Sequence, residues 1–352
     1  MKLSFTALVA IILCQFPVYA NNYLHSSVSL FNKASIKSDL ASKSLLLDID
    51  KISEEKLVSV GEYGHILLST NGKKWHQADV PVQTTLTAVS FYNDTLGWAV
   101  GHDATILHTK DSGASWQVQF SQPKLEKPLL DILFKNANEG IAIGAYGLVL
   151  RTLDGGKSWN KEFHDEFLSL DDKDYLDELK AEDIEAYEDE SSFILPHFNR
   201  LVNSNGTLFM LGEVGLIAKS QDFGVTWQKF DEIYQGSFYD LGRTSSDQLL
   251  VVGLRGNIFR SSNEGMDWDK VNLPTTALLN DVVIGDNADV YILGNNGIVL
   301  FSVNDGETFI THTESDGKAH IAGVWFNKQL IVVSEVGIKT ITPLTQQHKL
   351  KQ

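Results

Sequence analysis

Four carboxylates, Glu62, Asp103, Glu213 and Glu335, stand in corresponding four-residue turns, Gly61–Gly64, Gly101–Ala104, Gly212–Gly215 and Ser334–Gly337. Two such groups facing a cleft at a defined separation carry the acid, base or nucleophile roles of glycoside hydrolysis. Histidines lie near the first two: His65 beside Glu62, and His102 and His108 around Asp103. Imidazole and carboxylate together ligate divalent metals, but the spacing of these five matches no zinc-ligand pattern. Another acidic set, Asp171, Asp172, Asp174, Asp177 and Glu178, invites a calcium-loop reading. An EF-hand loop needs glycine at its sixth position, and the chain has Leu176 there.

The turns that carry these groups belong to a phrase written six times. It runs from Gly101 to Trp116, Gly144 to Trp159, Gly212 to Trp227, Gly253 to Trp268 and Gly294 to Phe309, with a shorter variant from Gly61 to Trp75. The leading glycines are 40, 43, 68, 41 and 41 residues apart. A period of about forty residues is that of a four-stranded propeller blade. In the second unit, Leu86–Phe91, Gly97–Gly101, Thr105–Thr109 and Ser115–Phe120 are short β-rich runs bounded by turn residues. The prediction is an all-β, seven-bladed β-propeller of four-stranded antiparallel blades.

Each phrase closes on an Asp-box, Ser/Thr-x-Asp-x-Gly-x-Ser/Thr-Trp. Its acidic or amide residue (Asn71, Asp111, Asp154, Asp222, Asn263 and Asn304) is expected to accept hydrogen bonds from its own turn. The aromatic residue that follows (Trp75, Trp116, Trp159, Trp227, Trp268 and Phe309) is expected to bury its ring between blades. These twelve positions are read as structural.

A seventh unit keeps Ser334-Glu335-Val336-Gly337 but has no Asp-box, and only three strands are legible in it. The segment Ser27–Phe31 alternates and has no other place. It is predicted to supply the fourth strand of the last blade, closing the ring and removing its edges. The 68-residue gap contains an acidic insertion, residues 164–192, between blades 3 and 4. From Lys161 to Glu190 there are fourteen acidic and three basic residues. Tyr175, Leu176 and Leu179 are spaced for one face of a short helix. The insertion leaves the outer strand of blade 3, so it should emerge on the face of the Gly-x-x-Gly turns, with the Asp-boxes on the opposite face.

Met1-Lys2, the apolar run Ala7–Leu13 and the small residue Ala20 predict a secretory signal peptide over residues 1–20. The only cysteine, Cys14, would leave with it, so neither disulfides nor cysteine chemistry are expected. Residues 21–343 are read as one propeller domain and 344–352 as a polar tail. A net charge of −16 argues against nucleic acid and anionic membrane surfaces as partners. A periplasmic location fits best.

The Gly-x-x-Gly turns vary in their inner letters while their frame stays constant. They hold Glu62, Tyr63, His102, Asp103, Tyr146, Glu213, Arg255, Asn295, Asn296 and Glu335. Variable side chains on a rigid repeated scaffold are the pattern of a binding rim.

The repeated phrase resembles the BNR/Asp-box propellers. More closely, it looks like the photosystem II stability/assembly factor-like branch of the WD40/YVTN/BNR-like repeats. The residues that carry this are Gly144–Gly147 with Asp154–Trp159 and Gly212–Gly215 with Ser220–Trp227, and Tyr234–Phe238 is similar. The resemblance extends over nearly all of the chain after residue 20. It implies the propeller fold. It also implies a role like that of photosynthetic members, which assist assembly of a membrane complex, or of exported relatives, some associated with envelope transporters. This chain departs from the arginine-rich surface of the photosynthetic members. It has five arginines, Arg151, Arg200, Arg243, Arg255 and Arg260, and an acidic arm. A sialidase, which also carries Asp-boxes, needs three arginines converging on the substrate carboxylate, and none precedes Arg151.

The expected function is therefore a non-enzymatic, monomeric, exported propeller without a cofactor or metal. It would bind a protein of an envelope or membrane complex, a transporter included, as a scaffold or assembly factor. The alternative is a carbohydrate-active hydrolase of sialidase-like fold using the rim carboxylates.

Overall fold

The structure, a computed structural model, describes residues 33–342. Seven antiparallel sheets follow one another along the chain, spanning 46–77, 86–120, 129–162, 198–229, 238–271, 279–313 and 320–341. Each is a meander whose first strand faces the centre and whose last lies outside. Six have four strands; the seventh has three among the described residues, His320–Phe326, Gln329–Ser334 and Gly337–Ile341. The predicted fourth strand, Ser27–Phe31, lies outside the described residues. The innermost strands touch in sequence around the ring, and that of blade 7 touches that of blade 1. Among the described residues no helix is long and apolar enough to cross a membrane.

Alternating strands leave apolar side chains on both sheet faces, so the core is divided into seams between blades. Trp116 is buried in the seam of blades 1 and 2, Trp159 in that of 2 and 3, and Trp227 in that of 3 and 4. Trp268, Phe309 and Trp75 pack against the seams of 4 and 5, 5 and 6, and 7 and 1. Each ring thus leans from its own outer strand onto the preceding blade. The seam of blades 6 and 7 has no such aromatic, because blade 7 lacks the motif. There Trp325 stacks on Tyr291 at 5.5 Å, and Tyr291 on Phe301 at 4.9 Å.

The motif turns are hydrogen-bonded as their residues require. Asp111 accepts from the Ser115 N–H at 2.9 Å and its Oγ at 2.6 Å, and Asp222 accepts likewise from Thr226. Partial burial pushes the Asp222 carboxyl up, but these donors win and hold it at about 2. In blade 5 the roles are exchanged: the Asn263 amide donates to Asp267, which stands where blades 2, 3, 4 and 6 have Ser or Thr. The outer ends of this face are also laced together. Asp305 accepts from Thr244, Ser245 and Ser246 of the neighbouring blade, and Arg243, paired bidentately with Glu264 of its own blade, donates to Ser204 Oγ of blade 4 at 2.5 Å.

Every innermost strand has a β-bulge at its second residue. In blade 1, Leu46 pairs with Gly61 and Asp48 with Val60, leaving Leu47 unpaired; the same slip occurs at Thr87, Leu130, Asn199, Tyr239, Asn280 and Ile321. A bulge re-aims side chains. Here it turns polar residues toward the adjacent blade: Thr87 donates to Leu129 O at 2.7 Å, Asn199 to Phe238 O at 2.9 Å and Asn280 to His320 O at 2.7 Å.

If the seam aromatics hold neighbouring blades together, Trp159→Ala should lower unfolding stability by roughly 3–5 kcal/mol, the cost of emptying a large core site. Chemical denaturation monitored by circular dichroism measures this; a loss below about 1 kcal/mol would count against the assignment.

Candidate functional site

The Gly-x-x-Gly turns lie on one face of the ring, joining the second and third strands of each blade. Four contain a 3-10 turn: Glu62–Gly64, Ala145–Gly147, Leu254–Gly256 and Asn295–Gly297. In six blades the third letter has left-handed backbone: Tyr63, Asp103, Tyr146, Val214, Arg255 and Asn296, with φ between 53° and 59°. That conformation is uphill for L-residues by about 1–2 kcal/mol, and a β-branched side chain such as Val214 tolerates it least. The turns therefore present one side chain per blade in a common pose.

The sequence-selected rim residues divide into two groups. Several fasten their turn to the segment leading into the same blade. Glu62 accepts from the Leu45 N–H at 3.1 Å and Glu213 from the His197 N–H at 3.2 Å. Asp103 accepts from Thr84 Oγ1 at 3.2 Å, and Glu335 pairs with Lys318 at 3.3 Å. Asn295 accepts from Asn280 at 3.1 Å. Tyr63, His102, Tyr146, Arg255 and Asn296 form the second group, exposed on the face. The carboxylates proposed for hydrolysis are thus engaged within separate blades rather than facing one another. The histidines do not gather either. His65 is buried, and burial lowers its pKa; His108 sits at the far end of its strand, bonded to Gly97 O and stacked on Trp98 at 4.5 Å. Among the described residues no group of three or more His, Cys, Asp or Glu is arranged to hold a metal.

The structure brings Tyr146 and Glu213 into one cleft of about 400 Å³ between blades 3 and 4. Further walls come from the chain returning from the insertion (Phe193, Leu195 and His197), from its entry (Leu168 and Asp172) and from Val214, Lys229 and Glu232 of blade 4. Tyr146 meets the edges of Phe193 at 5.3 Å and His197 at 4.5 Å. Gly147 is required here: its φ is +65°, and a Cβ would collide with Leu195. Lys127 reaches Ser192 O from behind, with its ammonium 4.5 Å from the Phe193 ring; burial lowers its pKa to about 8.

The insertion forms two helices, α1 (Leu170–Glu182) and α2 (Ile184–Ser191). Ser169 caps α1 by accepting from the Asp172 N–H, and Asp183 caps α2 by accepting from Glu185 and Ala186. Of the predicted apolar face, Leu176 is buried and Tyr175 stays exposed. The arm is anchored by its ends. Phe167 and Leu195 join the blade 3–4 seam. Arg151 pairs with Glu162 at 2.6 Å and donates to Phe223 O and Gly224 O of blade 4. His164 lies between Glu162 at 3.4 Å and Glu166 at 3.0 Å. Burial lowers its pKa, but the two carboxylates prevail and raise it to about 9.

Inside the channel, two residues in from this face, stands a cluster the motif reading did not select. Asp48, Asp131, Asp240 and Asp281 occupy one register in blades 1, 3, 5 and 6, and Arg200 occupies it in blade 4. Each aspartate accepts a backbone N–H of the next blade: Val89 at 2.9 Å, Leu201 at 2.7 Å, Val282 at 2.9 Å and Gly323 at 2.7 Å. Arg200 spans the ring, lying 3.7 Å from Asp48, 3.7 Å from Asp131 and 3.5 Å from Asp240. Burial pushes Asp48 up to about 7 and Asp50 to about 6, only partly opposed by Arg200 and by backbone donors. Asp281 is raised well above the carboxylate range by burial and by neighbouring Asp240. Burial disfavours the Arg200 cation, yet the surrounding carboxylates keep it charged.

The family model described as photosynthesis system II assembly factor YCF48 matches residues 34–125 and 67–168. The photosystem II assembly protein Ycf48 of Thermosynechococcus vestitus is 30% identical over 234 residues, 66% of this chain and 60% of that protein. The matched stretch is therefore less than two thirds of that relative's length. The chain is a seven-bladed β-propeller similar to these photosystem II assembly factors. Two solved structures share its fold. YCF48 bound to D1 peptide has a TM-score of 0.65 at 19% identity, covering 87% of this chain and 94% of that one. YCF48 from Cyanidioschyzon merolae has a TM-score of 0.65 at 16% identity, covering 88% and 99%.

In this BNR propeller the channel register was visible in the sequence as an apolar residue, any residue, then Asp: Leu46-x-Asp48, Leu129-x-Asp131, Phe238-x-Asp240 and Leu279-x-Asp281. It falls outside the repeated phrase, on the strand before it. Phe193 and His197 carry no such signal, since they meet Tyr146 only through the return of the arm.

Two pH effects of opposite residue chemistry follow. The raised Asp48 and Asp50 favour the folded state below about pH 4, and that contribution is lost as pH rises through about 6–7. Asp48→Asn keeps the acceptor for Val89 and should stabilise the ring above neutrality, flattening the pH dependence of the denaturation midpoint. Arg200→Met should instead cost roughly 3–5 kcal/mol, by leaving buried carboxylates without a cation. The raised His164 contributes fully below about pH 6.5 and loses its contribution as pH rises through about 9. Limited proteolysis of the arm should accelerate across that alkaline window, and His164→Gln should remove the acceleration.

Proposed function

We propose that the chain is an exported, non-enzymatic propeller that binds a protein partner, serving as a scaffold or assembly factor for an envelope complex. The observation that carries this reading is the single face of the ring. There, six turns hold one variable side chain each in a common backbone pose, beside a cleft with exposed aromatic walls. Loops displayed on a rigid frame are the usual seat of binding. Similarity to photosystem II assembly factors supports a protein as the ligand, as does the fold shared with YCF48 bound to D1 peptide. The engagement of Glu62, Asp103, Glu213 and Glu335 within separate blades favours binding over hydrolysis. The leader-like residues 1–20 support export, and an envelope complex is the class of partner such a protein would meet.

The chain, immobilised after chemical cross-linking to a solubilised envelope fraction, should retain a defined membrane-complex subunit that an unrelated propeller does not. Recovery of no specific partner would overturn the reading. So would turnover of glycoside substrates that is abolished by Glu62→Gln or Glu213→Gln.

A further inference from the structure

The cleft between blades 3 and 4 combines two properties that seldom coincide on a soluble surface. Its walls include large apolar side chains left open: Phe193 is 57% exposed, Val214 62% and Tyr146 41%. Aromatic rings held at the mouth of a concave site are typical anchors for a partner's side chain. Its margin is acidic, with Asp172, Glu213 and Glu232 against one lysine, Lys229.

The acidic margin continues into the arm. The segment 161–190 holds fourteen acidic and three basic residues. Its internal pairing uses few of them: Asp165 with Lys173, and Glu162 and Glu166 with His164, Glu162 also meeting Arg151. The remaining carboxylates of α1 and α2 cast a negative field beside the cleft, which attracts cations and repels a free carboxylate or an anionic lipid surface. The edges of the cleft are committed as well, since the Gly147 N–H already donates to Pro196 O at 2.9 Å. Recognition there must come from side chains rather than from adding a strand.

We propose that this cleft takes a peptide segment of the partner in which an apolar side chain, seated against Tyr146 and Phe193, is flanked by lysine or arginine residues facing the acidic arm. The inference rests on the protein-binding reading above and specifies its site and ligand chemistry.

Three fluorescein-labelled synthetic peptides test it against the whole chain by fluorescence anisotropy. One has a Leu-Phe centre with Lys/Arg flanks, one has the same flanks with Ser replacing the centre, and one has the Leu-Phe centre with Glu flanks. The first should bind, and each change should weaken binding roughly tenfold or more. Added salt should weaken the first peptide further, because exposed charges are screened. Phe193→Ser and Glu232→Lys alter exposed residues and should preserve the thermal midpoint while each weakens binding at least about tenfold. Tyr146→Asn, which suits left-handed backbone, should do the same.

Equal binding of the serine-centred peptide would overturn the proposal, since charge alone would then suffice. Preference for the acidic flanks would overturn it too. If no peptide binds, while an envelope subunit is still retained equally by the native chain and by Phe193→Ser and Glu232→Lys, this inference fails and the protein-binding reading stands. If the native chain retains no subunit, it is the broader reading that fails.

Discussion

Seven wedges must meet around one axis, and the crowding of their innermost strands is the constraint on which the rest of the structure depends. Where those strands approach, backbone N–H and C=O groups of one blade face its neighbour and need partners. The bulge at the second residue of each strand supplies the geometry. It lets Thr87, Asn199 and Asn280 reach a neighbouring carbonyl, and Asp48, Asp131, Asp240 and Asp281 reach a neighbouring N–H. Gathering that many carboxylates in a narrow channel creates a repulsion of its own. One guanidinium, Arg200, offsets it in part, and burial raises the pKa of Asp48, Asp131 and Asp281.

With the centre held in this way, the outer parts of the blades divide their work by face. On one face the short acidic turns are saturated by their own donors and are laced sideways by Asp305 and Arg243. On the other, the turns are fastened by backbone bonds such as Glu62 N–H to Leu45 O and by the side chains of Glu62, Asp103, Glu213, Asn295 and Glu335, which leaves the third letter of most turns free to project.

The repeat made the blades legible before any coordinates, because Gly, Asp and Trp at a forty-residue interval satisfy backbone and packing needs wherever they recur. Trp116, Trp159 and Trp227 lie in the seams of blades 1 to 4, and the seam of blades 6 and 7 is filled by Tyr291, Phe301 and Trp325 instead. The channel was harder to read. Its aspartates sit on the strand that precedes the conspicuous phrase, and a bulge depends on pairing rather than on residue type. The cleft was harder still. Tyr146 and Glu213 were selected as separate rim residues, and only the path of the arm joins them through Phe193 and His197. Glu62 and Asp103, chosen for chemistry, turned out to fasten the turns that carry them.

The arm is welded to the ring at its two ends, by Arg151, His164 and Phe167 on one side and Leu195 and Pro196 on the other, while α1 contributes Leu176 as its buried residue and α2 contributes none. Blades 3 and 4 therefore form a socket held by the two ends of the arm, to which the helices between residues 170 and 191 add Asp172 at the margin. An element of different length or charge could be spliced into that socket while both seams kept their packing. Repeated frames of this kind can thus acquire a new ligand by exchanging a plug-in part, leaving the wheel that carries it unaltered.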